Sequence, residues 1–192
     1  MANNAHFDWI APLYERVIRP PDPARIAALL DLPAPGWLLD AAGGTGRVAA
    51  QLCPMVERLV ISDLSLPMLR QAAQKHNPNC RIACSQGQVE RLPFQDGQFA
   101  RILVVDAFHH FSHQLESLRE LARVLQPGGR LLIEEPDIRR AGVKLIALAE
   151  TLALMGSHFR TPEEMRAMAE AAGLQARADD DGAGTAWVSG FK

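Results

Sequence analysis

No block of Lys or Arg occurs anywhere in the 192 residues, and the formal net charge is -2. Nucleic acids are gripped through a basic stripe, so DNA or RNA is disfavoured as the main partner. No apolar run approaches the ~20 residues that span a bilayer. Residues 1–6 are polar and lack the charged-then-apolar pattern of a secretory leader. Cysteine is scarce: Cys53, Cys80 and Cys84 make an odd number with no CxxC pair among them. That usage predicts reduced thiols in a cytoplasmic protein rather than a disulfide frame. Internal repeats, low-complexity tracts and linkers are also missing, so residues 1–192 read as one domain with a substantial core.

What is present is a regular alternation. Apolar residues at helical spacing from Phe7 to Ile18 are broken by Pro20, Pro21 and Pro23, and a second helix is predicted over Ala24–Leu30. The short apolar runs Trp37–Leu39 and Leu59–Ile61 each end at an acid, Asp40 and Asp63, and each leads into a helix, Arg47–Leu52 and Pro67–Lys75. Arg81–Cys84 is a weaker strand; Ile102–Val105 and Leu131–Ile133 are strong ones, with a helix over Leu115–Leu125 between them. Helices are predicted over Val143–Met155 and Pro162–Ala172, the second capped by Thr161 with Glu164 three residues on. Leu174–Ala178 and Thr185–Phe191 read as a closing strand pair. Apolar strands alternating with helices of about ten residues imply parallel pairing with right-handed crossovers, covered on both faces. The expected fold is α/β: a doubly wound three-layer sandwich, its mostly parallel seven-stranded sheet closed by an antiparallel last strand. In such sheets ligands sit beyond the carboxyl ends of the strands, near the reversal of strand order. That puts Asp40, Asp63, Asp106 and Glu134/Glu135 along the functional edge.

The segment Leu38-Leu39-Asp40-Ala41-Ala42-Gly43-Gly44-Thr45-Gly46-Arg47 carries the chemistry. Glycines between a strand and a helix let the backbone pass close to a ligand. Gly44 to Ala49 also fits the dinucleotide pattern G-x-G-x-x-G/A, with Asp63 at about the distance of a ribose acid. A dinucleotide, however, sets its pyrophosphate on the helix N-terminus, and an acid just before the glycines repels that anion. S-adenosylmethionine has no phosphate and carries an ammonium and a sulfonium, so Asp40 favours it.

Asp40 to Gly46 resembles the first motif of class I S-adenosylmethionine-dependent methyltransferases, in which an acid precedes a G-x-G-x-G loop. Asp63 matches the family acid after the second strand, which binds both ribose hydroxyls. Gly87-Gln88-Val89-Glu90-Arg91-Leu92-Pro93-Phe94 resembles the segment lining the adenine; Phe99–Phe111 and Val124–Leu131 resemble the fourth-strand motif and the turn into the fifth strand. The likeness runs in order over roughly residues 37–136. Phe7-Asp8-Trp9-Ile10-Ala11-Pro12-Leu13-Tyr14-Glu15 resembles the opening of the menaquinone/ubiquinone C-methyltransferase branch, which implies that residues 1–32 form a helical cap over the donor. The chain departs from the pattern at Ala42, where the family has its first glycine, at Gln88, where it has an acid, and at Ala100. It also has His109-His110 where the quinone enzymes have Arg-Asn.

The resemblance implies S-adenosylmethionine as cofactor, held by Tyr14, Asp40, Ala41, Ala42, Gly43, Gly44, Gly46, Asp63, Leu64, Met68, Gln88, Val89, Glu90 and Val105. Candidate catalytic residues are Asp106, His109 and His110, because His titrates near neutrality and this segment faces the sulfonium. The histidines, His113 included, have no zinc spacing, so no metal is predicted. The expected reaction is methyl transfer to a small acceptor, apolar or aromatic because the sequence shows no charged cluster for an anionic one. Val143–Met155 is a candidate lid or face of a homodimer. Two alternatives stay open: a nicotinamide-dependent oxidoreductase, for which a Tyr-x-x-x-Lys and a second domain are missing, and a donor-binding protein without catalysis.

Overall fold

A computed structural model describes residues 21–75, 80–144, 157–180 and 184–192. Tyr14, the N-terminal cap up to residue 20 and most of Val143–Met155 lie outside them. Seven strands form one sheet in the order β3-β2-β1-β4-β5-β7-β6: β1 (Trp37–Ala41), β2 (Arg58–Asp63), β3 (Arg81–Gln86), β4 (Phe99–Val105), β5 (Leu125–Pro136), β6 (Gln175–Asp180) and β7 (Thr185–Phe191). β1 pairs in parallel with β2 and β4, and β5 in parallel with β4, while β7 runs antiparallel to both β5 and β6. The order of strands therefore reverses between β1 and β4, as expected for a doubly wound sheet, and the ends of those two strands open the crevice.

Alternate residues of each central strand feed two cores. Leu39, Ile102, Val104, Leu131 and Ile133 pack beneath α4 (Gln114–Val124) and α5 (Pro162–Ala171). Leu38, Leu59, Ile61, Leu103 and Leu132 pack beneath α1 (Pro23–Leu30), α2 (Ala49–Leu52) and α3 (Leu66–Ala72). With both faces covered, neither side of the strand needs a polar residue, which is why the runs read as continuous. Helix ends follow local chemistry: Asp22 and Ser65 cap α1 and α3, and Thr161 and Glu164 form the expected capping box of α5.

Three expectations are revised. The helix foreseen over Arg47–Leu52 is a single α-turn, Ala49–Leu52, followed by a 3₁₀ turn at Cys53–Met55, with Pro54 at its start. The fifth strand is longer than its apolar run, because it begins at Leu125 and the residues between Leu125 and Arg130 bulge out of register with β4. The cysteines are not all free: Cys53 and Cys80 form a disulfide with Cα atoms 5.6 Å apart, and only Cys84 is a free thiol. The two partners come from the start of the 3₁₀ turn and the approach to β3, a tertiary meeting that spacing does not announce. The bridge removes the argument from free thiols on which a cytoplasmic setting rested.

Candidate functional site

The crevice at the strand reversal is a cavity of about 690 Å³. Its floor is built from the ends of β1 and β2. Asp40, the next-to-last residue of β1, is 2 % exposed and lies directly beneath Gly43, where any Cβ would strike the Asp40 carboxylate. Burial first, and then the nearby charge of Asp63, push the Asp40 carboxyl up to about 7, against the opposing pull of Arg47. The fold thus holds a buried acid that gains from a cation placed above it.

Asp63 stands across the same floor. One carboxylate oxygen accepts the Gly44 N–H at 2.8 Å and the other the Ser65 N–H at 2.8 Å. These bonds set the plane of the carboxylate, which also lines the cavity. Gly44 takes φ +55°, and Ala42, against the preference of an L-residue, takes φ +57°. The loop demands a left-handed residue where this chain has alanine, at a cost of roughly 1–2 kcal/mol. We expect Ala42→Gly to raise the unfolding free energy by up to about 1 kcal/mol, since glycine's extra unfolded-state freedom offsets part of the relief. Equilibrium denaturation checks this; a stability loss would mean that the Ala42 methyl is needed where it stands.

The segment Gly87–Glu90 forms another wall. Val89 is buried, Glu90 half-buried and Gln88 exposed, and all three line the cavity. The stretch that follows is pinned by α4: Glu120 accepts the Leu92 N–H at 2.8 Å, and Arg123 donates to the carbonyls of Phe94 at 2.9 Å and Leu92 at 3.3 Å. Leu64, Met68 and Val105 complete the apolar lining, together with Ala107 and Phe111.

Of the residues singled out from sequence, three described ones fall outside the lining. Ala41 is fully buried in the core under β1. Gly46 has φ +68° and lies against Ile61, whose side chain any Cβ would strike; it allows the loop to pack on β2. His109 is 3 % exposed and turned away from the cavity: its Nδ1 lies 2.5 Å from Glu135 Oε2, and its ring stacks on Phe159 at 4.3 Å. The two histidines of the 3₁₀ turn Phe108–His110 lie side by side, ring centroids 3.9 Å apart and tilted by 51°, and His110 is the one that faces the cavity. Burial and the neighbouring His109 drop the His110 pKa to about 3, so its ring is neutral at ordinary pH and a weak proton acceptor. Asp106 also lines the cavity and takes φ +50°, with its N–H bonded to the Glu134 carbonyl at 2.9 Å.

Glu135 organises this turn. Its Oε1 accepts the N–H groups of Ala107 at 2.8 Å and Phe108 at 2.6 Å, in addition to the His109 contact through Oε2. Sequence reading placed it on the functional edge without seeing that it faces the turn rather than the ligand. Arg47, Ser65, Ser112, His113 and Glu116 also line the cavity and were not foreseen as site residues. For Ser112 and His113 the signal was their position immediately after the paired histidines. Among the described residues no cluster of His, Cys, Asp or Glu is arranged to hold a metal.

Known proteins share both sequence and fold with this chain. A family model described as a methyltransferase domain matches residues 39–133. A ubiquinone/menaquinone biosynthesis C-methyltransferase from Francisella philomiragia is 38 % identical over 104 residues, covering 51 % of this chain and 42 % of that protein. A counterpart from Pseudomonas paraeruginosa is 33 % identical over 104 residues, 51 % of this chain and 41 % of that one. The chain thus spans less than half the length of these curated relatives. A solved S-adenosylmethionine-dependent methyltransferase from Thermotoga maritima shares the fold over 99 % of this chain and 100 % of its own, with TM-score 0.78 and 19 % identity.

Proposed function

The chain belongs to the class I S-adenosylmethionine-dependent methyltransferases, and from that premise we propose that it transfers a methyl group to a small acceptor with an apolar or aromatic body. The observation that carries the reading is the pairing of the buried Asp40 with Asp63 on the floor of one large cavity, an arrangement that favours a cation and disfavours a diphosphate. Asp40 and the Gly43–Gly44 backbone hold the methionine end, with the missing Cβ of Gly43 leaving the approach open. Asp63 accepts from the ribose hydroxyls, Leu64 and Met68 pack beside the sugar and base, and Gln88, Val89 and Glu90 flank the adenine. Gln88 is a neutral, weaker acceptor for the adenine amino group than an acid.

S-adenosylmethionine supplies an electrophilic methyl group on a positively charged sulfur, so no covalent enzyme intermediate is required. The protein's contribution is alignment and the exclusion of water. Asp106 and His110 stand where an acceptor enters, with Phe111, Ala107 and Val105 as the apolar wall. Where the acceptor must lose a proton, Asp106 is the carboxylate on the cavity wall to receive it, since burial and the neighbouring His109 make His110 a weak proton acceptor. His109 acts through position: with Glu135 it fixes the turn that carries His110.

The test is turnover. Purified protein incubated with S-adenosylmethionine and a panel of phenols, quinols and small acids forms S-adenosylhomocysteine with at least one acceptor, measured by chromatography. Tight donor binding with no product from any of them would instead favour a donor-binding protein without catalysis.

A further inference from the structure

Beside the main cavity lies a groove of about 390 Å³, and Ser112, His113 and Glu116 belong to the walls of both. Its remaining walls bring Arg119, on α4, together with His158 and Arg160, which precede α5. The sequence shows no basic cluster here, because the two arginines meet only through the fold.

The arrangement is supported from beneath. Gln114 is 5 % exposed, and its amide nitrogen donates to the Phe108 carbonyl at 3.1 Å and the His158 carbonyl at 2.7 Å. Its amide oxygen accepts Arg160 Nε at 2.9 Å, which holds the guanidinium at the groove wall. The His158 N–H is bonded to the His109 carbonyl at 2.6 Å, so this wall is fixed to the same turn that carries His110. Arg119 and Arg160 make no ion pair among the described residues, and Glu116 is the one acidic residue of the lining. Two guanidinium groups facing a groove with one carboxylate leave it positive, and planar forks of this kind suit a carboxylate.

We propose that this groove is the anionic end of the acceptor site: Arg119 and Arg160 hold a carboxylate of the acceptor while its reacting atom reaches the main cavity past Ser112 and His113. The inference rests on the methyltransferase reading and narrows its substrate class to small acids with an apolar or aromatic body.

The test uses protein saturated with S-adenosylhomocysteine and two probe pairs, 4-hydroxybenzoate with 4-hydroxybenzamide and octanoate with octanamide, titrated by calorimetry. In at least one pair the carboxylate binds about ten-fold tighter than its amide, a preference that shrinks with added salt. The double variant Arg119→Gln/Arg160→Gln loses that preference while its affinity for S-adenosylhomocysteine is unchanged, since both side chains lie outside the donor cavity. No carboxylate preference in either pair, or a preference that survives the double substitution, overturns the inference. Failure of the native protein to bind S-adenosylhomocysteine at all would overturn the methyltransferase reading itself, and this subsite with it.

Discussion

Replacing Asp63 with alanine weakens S-adenosylhomocysteine binding by about 2–3 kcal/mol, roughly 30- to 150-fold. Two charge-assisted bonds to the ribose hydroxyls are lost, each worth ~1.5–3 kcal/mol and not fully additive. The substitution also frees the N–H groups of Gly44 and Ser65, both bonded to this carboxylate. That part of the effect falls on loop order as well as on the ligand. Asp63→Asn separates the two: its amide oxygen still accepts one backbone N–H, so the loop is retained while the charge is lost, and the affinity falls by less. Titration calorimetry reads both variants, with melting temperature as the control for folding. Native affinity in Asp63→Ala would mean that the second strand does not face the ribose.

The second large effect is a dependence on pH, and it follows from Asp40. Its carboxyl is raised from the ordinary 3.8 to about 7, chiefly by burial. The folded state therefore holds this proton more tightly than the unfolded chain does. The stabilisation it brings is fully present below about pH 3.8 and is lost as pH rises through about 7. At 1.36 kcal/mol per pKa unit the loss across that window reaches about 4 kcal/mol as an upper bound. Asp40→Asn has no such proton, so its stability relative to the native protein should improve steadily from pH 5 to 7.5 in denaturation curves.

A bound ammonium or sulfonium has the opposite preference and favours the charged carboxylate. Donor binding below pH 7 then releases a proton, and affinity rises with pH towards neutrality. An α-amino group loses its own proton near ~7.7–8.0, so affinity peaks between the two values. In Asp40→Asn the rising limb disappears. A pH-independent affinity in the native protein would show that the cation does not sit on Asp40.

Much of this was legible before any coordinates. β1, β2, β4 and β5 read clearly because burial on both faces makes each run continuously apolar, and the strand-end acids locate the functional edge. The antiparallel closing strand was legible from the late strand pair. What sequence could not supply were meetings between distant segments. Glu135 reaches back from β5 to claim His109, which moves a candidate base behind the wall and leaves His110 in front. Gly46 looks like part of a ligand loop, yet its missing Cβ makes room for Ile61. Cys53 and Cys80 meet across a helix and a strand, and Arg119 and Arg160 across a groove. Each depends on the fold rather than on spacing.

The most direct measurement is a side-by-side calorimetric titration of the native protein with S-adenosylhomocysteine and with NAD⁺ at pH 7. Saturable one-to-one binding of S-adenosylhomocysteine is expected, and no binding of NAD⁺, whose diphosphate would have to approach Asp40 and Asp63. Saturable binding of NAD⁺ with none of S-adenosylhomocysteine would contradict the methyltransferase reading.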